Sequence, residues 1–152
     1  MNRISKFLLL ALLCFLFMQL GASLFSITMI VSTLTEAPPE SLSMIRGDFP
    51  YDSSAFWDIF PSVLGSLFLI TLVFNWRTTF KKWVIISLGL YMLSAVFAIF
   101  VFEPAQSNFL SSGLQEAGLL YHRYDWILFS LTLLSAIALI VPIFKQLEIR
   151  NK

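Results

Sequence analysis

Four apolar runs divide the chain, at roughly 7–34, 56–75, 83–102 and 126–144. About 20 apolar residues carry a helix across the ~30 Å hydrocarbon layer, and each run reaches or nearly reaches that length. Lipid offers no partner to backbone N–H and C=O groups, so runs of this kind cross as helices. The pattern predicts an all-α fold, a four-helix transmembrane bundle running up-down-up-down. One domain covering residues 1–152 accommodates it.

The polar stretches between the runs differ in kind. Asn75-Trp76-Arg77-Thr78-Thr79-Phe80-Lys81-Lys82 is short, which makes the second and third helices antiparallel neighbours. The 35–55 stretch carries Ala37-Pro38-Pro39-Glu40 and Arg46-Gly47-Asp48-Phe49-Pro50, rich in turn residues. Ser53 or Ser54 suits the cap of the second helix, with Asp58 in its first turn. Pro104, directly after Glu103, is expected to close the third helix, because the residue before proline resists the helical region. Residues 103–124 then read as a loop.

The first run resembles a secretory signal at its start, with Arg3 and Lys6 before Phe7–Leu13 and small residues at Gly21-Ala22-Ser23. Apolar character resumes at Leu24 and continues to Leu34, beyond the length of a signal core, so an uncleaved helix is expected.

Composition supports the same solvent. With 58% hydrophobic and only 12% charged residues, and a mean hydropathy of +0.83, polar surface is too scarce to face water on all sides. The lipid bilayer is therefore the first partner. A net charge of +1 gives no footing for nucleic acid. The single cysteine, Cys14, leaves no internal disulfide, Cys-x-x-Cys motif or thiolate cage.

Charge placement orients the bundle. Arg3, Lys6, Arg77, Lys81, Lys82, Lys145, Arg150 and Lys152 fall at the termini or in the 75–82 turn; only Arg46 and Arg123 fall at the other end. Every acidic residue but Glu148 lies at that other end. The positive-inside rule places both termini in the cytoplasm, in a multi-pass protein of the cell (inner) membrane.

Candidate chemistry gathers where the last run begins, at Tyr121-His122-Arg123-Tyr124-Asp125-Trp126. On a helix His122 and Asp125 share a face, as do Tyr121 with Asp125 and His122 with Trp126. A carboxylate there orients the imidazole, so His122 and Asp125 are the candidate catalytic pair. Asn108 and Arg123 are candidate ligand-binding groups, approaching from the preceding loop and the same helix start. Gln19 joins them as the largest polar group of the first helix, whose outer half (Gly21, Ala22, Ser23, Ser26, Thr28, Ser32, Thr33) is more polar than its inner half. An interfacial belt and packing between helices explain these residues equally well. Asp52, Asp58, Glu103, Glu116 and Asp125 with one histidine lack metal-ligand spacing, and no methionine stands out as a haem ligand. No metal or cofactor is implied.

Gly21-Ala22-Ser23, Pro104 with Asn108 and Leu110, and His122 together resemble a family of small four-helix membrane proteins, mostly of unknown function, that includes the fungal anthrone oxygenases. That family carries arginine three residues after the histidine-type position. Here Asp125 stands there, and Arg123 adjoins His122. The resemblance implies a four-helix membrane fold and a cofactor-free, anthrone-oxygenase-like site for a lipophilic aromatic substrate.

Two functions follow. One is an outward-facing pocket for a lipophilic or aromatic ligand, lined by Gln19, Asn108, His122, Arg123 and Asp125. The other is a non-catalytic accessory or scaffold subunit that meets a membrane protein partner, or its own copies, through small-residue faces. A transporter is disfavoured by the lack of mid-membrane charges, repeats and broken helices. The topology is checked with cysteines introduced at Ser43 and Thr79 in a Cys14-free background. Position 43 should label from outside and position 79 only after the cytoplasmic face is opened; labelling of position 79 from outside contradicts it.

Overall fold

The computed structural model describes residues 3–46 and 54–150, with side chains at 54–55, 142–143 and 145–150 left aside. Asp48, Asp52, Ser53 and the turn residues around them lie outside the described residues. Within the described residues the structure is helical and contains no strand. Four long helices follow one another: α1 (Arg3–Glu36), α2 (Ser54–Asn75), α3 (Lys81–Ser112) and α4 (Gln115–Arg150). Each contains a stretch long and apolar enough to cross a membrane.

The helices are unequal, and this shapes the molecule. At ~1.5 Å per residue, the 22 residues of α2 give a rod of ~33 Å, close to one hydrocarbon thickness. The 34 residues of α1 and 32 of α3 give ~51 and ~48 Å. Three helices therefore outreach the second.

The main core is a stripe packed between all four helices. Leu9, Leu12, Leu16 and Leu20 recur at helical spacing along α1 and meet Leu64 and Phe68 of α2, Val84 and Tyr91 of α3, and Ala136 and Leu139 of α4. The outward faces are apolar as well. Phe7, Val73 and Phe100 are 70%, 71% and 74% exposed, a surface suited to lipid.

Buried hydroxyls and amides join the helices. The Ser87 hydroxyl of α3 donates to the Ser135 carbonyl of α4 at 2.8 Å, and the Ser135 hydroxyl to the Ser87 carbonyl at 2.9 Å. Both serines are fully buried, and their small size lets the backbones approach. The Ser5 hydroxyl donates to the Phe74 carbonyl at 3.1 Å, joining the start of α1 to the end of α2. Asn75, fully buried, donates to the Thr71 carbonyl at 2.9 Å, and its own carbonyl accepts from the Thr78 hydroxyl at 2.9 Å. Asn75 is thus the buried organiser of the 76–80 turn.

A second, smaller core occupies the far ends of α1, α3 and α4. Val31 and Leu34, Phe109, and Ala117 with Tyr121 pack together there, covered by Leu42 of the short helical link at 40–46. The link is fastened at both ends: the Ser41 hydroxyl donates to the Leu34 carbonyl at 2.6 Å, and the Arg46 guanidinium donates to the Leu110 carbonyl. Gly113 ends α3 with φ 63°, a left-handed conformation that suits glycine. Gly118 permits the closest approach, since a Cβ there would stand 2.8 Å from a ring carbon of Phe109.

Pro104 does not close the third helix. Residues Ala98–Phe102 form a π-helical stretch, and an α-helical segment, Glu103–Ser112, continues from it with Pro104 in its first turn. The wider π turn accommodates a proline ring that would otherwise meet the carbonyl four residues back, and the missing N–H falls at a register change. The 103–124 stretch is accordingly a helical hairpin turning at Gly113-Leu114. Asn108 belongs to a helix, where the sequence places it in a loop. Helix α4 likewise starts at Gln115, well before residue 126.

Candidate functional site

Both helices beside α4 change register in the same region. In α1, Ser26–Val31 is π-helical, between α-helical Arg3–Phe25 and Ser32–Glu36. Hydroxyls accompany the change: Thr28 donates to the Leu24 carbonyl at 2.7 Å, Thr33 to Met29 at 2.6 Å and Thr35 to Val31 at 2.9 Å. Such back-bonding competes with the helix's own ladder and bends it. Much of the polar character of outer α1 is thus satisfied within its own helix. The π-helical stretches of α1 and α3 both contact α4, and π segments recur at functional sites.

The α4 residues at that level are Tyr121 to Asp125. Tyr121 is buried, its ring 5.2 Å from that of Phe102, at the end of the α3 π stretch, and stacked 5.8 Å from Phe109. Its hydroxyl accepts from Gln106 Nε2 at 3.4 Å. Phe97, just before the π stretch, meets Tyr124 edge-on at 5.7 Å. One turn after Tyr121, on the same face, stands Asp125, 8% exposed. Among the described residues no hydrogen bond or ion pair reaches its carboxyl group. An ionisable group enclosed this way in a membrane helix is costly, and function is the usual reason for keeping one.

The five residues singled out by sequence are spread over three places. Asp125 is buried in the aromatic layer. His122 is half-buried on a neighbouring face, where its Nε2 accepts a hydrogen bond from Trp126 Nε1 at 3.3 Å. No hydrogen bond or ion pair joins His122 to Asp125. Arg123 and Asn108 are exposed. Gln19 is half-buried about two turns before the π stretch of α1, and its Oε1 is enclosed without a hydrogen-bond partner among the described residues. No three of the described His, Cys, Asp and Glu residues come together as a metal would need.

Tyr121 adjoins Asp125 on the same helix face, and Gln106 and Phe102 contact Tyr121 in turn. Tyr121 is visible in the sequence through its four-residue spacing to Asp125. Gln106 is hidden by Pro104, since a residue assigned to a loop has no helical face to share. No known protein family, curated protein or solved structure matches this chain.

The Trp126 contact has a direct consequence. Because Nε2 accepts, the neutral imidazole carries its proton on Nδ1. Trp126→Phe should move the ¹⁵N resonance of His122 Nε2, whereas Asp125→Asn should leave it in place. Movement in Asp125→Asn alone would show a pairing that the geometry does not contain.

Proposed function

We propose that this chain is an integral, multi-pass protein of the cell membrane that binds a lipophilic, aromatic small molecule in the layer formed by Asp125, Tyr121 and the π-helical stretches of α1 and α3. The observation that carries this reading is Asp125 itself, a buried carboxyl group one turn from the Tyr121 ring, with no hydrogen-bond or ion-pair partner among the described residues. Pure packing gives no reason for such a residue, because an apolar side chain would do as well there. The order up-down-up-down is supported by the pairing of Ser5 with Phe74, Tyr91 with Pro61, and Phe97 with Tyr124. In each pair the start of one helix meets the end of the next, or the two stand at matching depth. With eight of the ten basic residues at the opposite end from Asp125, the site faces outward and both termini are cytoplasmic.

An anthrone-oxygenase-like reaction is the narrower form of this proposal. It would require His122 to exchange its contact with Trp126 for one with the ligand. The accessory-subunit reading draws on a different observation. Gly21 of α1 and Gly89 of α3 are exposed, with nothing within 4 Å of where a Cβ would stand, so a partner helix could approach them closely.

A neutral aromatic diazirine, photolysed in membranes containing the protein, tests the binding reading. Saturable labelling should concentrate at residues 97–102 and 121–125. Labelling spread over lipid-facing Phe7, Phe17 and Phe74 without saturation would mean that the phenylalanines only meet lipid.

A further inference from the structure

Resting on the binding site just proposed, we infer that its ligand class is a lipophilic organic cation, held by the Asp125 carboxylate and the rings around it. Three features of the layer select this chemistry. The first is the lone acceptor: Asp125 is more than nine-tenths buried, and no lysine, arginine or histidine forms an ion pair with it among the described residues. Arg123, two residues away, is exposed, and residues two apart on a helix do not face each other.

The second feature is the aromatic wall. Tyr121 lies one turn from the carboxylate and is backed by Phe102 and Phe109. Ring faces attract a cation most where water is excluded. A diffuse positive charge on an apolar body satisfies the carboxylate and the rings together, and it partitions into lipid before it reaches the site.

The third feature excludes the simplest rival. A hard metal cation gathers six or more oxygen ligands, whereas no group of three metal-ligating side chains occurs among the described residues. A neutral aromatic molecule would leave the carboxylate unanswered.

The test uses the full chain purified in detergent and tetraphenylphosphonium as probe, followed by calorimetry and by competition with the neutral diazirine. The cation should bind saturably, one per chain, and displace the diazirine from 97–102 and 121–125. Asp125→Asn should weaken it by about tenfold or more, and Asp125→Glu should retain binding. Triphenylphosphine oxide, of similar shape but neutral, gives a comparison that needs no variant and should compete far more weakly. Equal competition by the two probes, or cation binding unchanged in Asp125→Asn, would overturn the cation assignment and leave the lipophilic site standing. Failure of the diazirine itself to label the site would remove both.

Discussion

In lipid a helix gains little by burying apolar side chains, so polar contacts and close backbone packing must decide how helices associate. The lower part of this bundle follows that constraint. The reciprocal serine bonds between Ser87 and Ser135 and the Ser5 bond to the Phe74 carbonyl satisfy polar groups on neighbouring helices, and the Thr78 hydroxyl donates to the Asn75 carbonyl across the turn. Model membrane systems place such a bond at roughly 0.5–2 kcal/mol, enough to favour one helix arrangement over its neighbours. The leucine stripe of α1 then fills the space that these contacts define.

Gln19 Oε1 and Thr71 Oγ1 depart from the rule, enclosed without a hydrogen-bond partner among the described residues, and at the far end an ionisable group departs from it too. There α1, α3 and α4 extend beyond α2, and the 40–46 link folds over them through Leu42, Ser41 and Arg46. Thr35 is satisfied within its own helix and Tyr121 by Gln106. Asp125 alone combines an ionisable side chain, burial and the absence of a hydrogen-bond or ion-pair partner among the described residues. Two register changes flank it, one marked by threonine back-bonding and the other by Pro104. Irregular backbone near a partnerless carboxyl group is a costly combination, and a ligand that pairs with the carboxylate would account for it.

The sequence made the helical architecture legible because lipid imposes it: twenty apolar residues have one way to cross. Tyr121 and Asp125 were legible as a pair through their spacing. The helix ends were not, and the reason is local. Pro104 reads as a stop because the rule for the residue before proline assumes an α register, and Ala98–Phe102 is not in that register. Once α3 continues, Gln106 and Phe109 acquire a face toward α4, and Asn108 turns away to the surface. The His122–Asp125 pairing met a different limit. Three-residue spacing permits the contact, but Trp126, four residues on, competes for the same imidazole and takes it. Spacing defines which contacts are open to a side chain; packing from other helices chooses among them.

The central claim is that Asp125 is kept for binding and contributes nothing to folding, and Asp125→Leu measures it directly. Thermal unfolding of the variant should give a Tm equal to or above that of the parent, because an apolar side chain of similar size replaces a buried charge without loss. Saturable binding of tetraphenylphosphonium should be lost in the same preparation. A clearly lowered Tm would contradict the claim, since it would make the carboxyl group part of the structure.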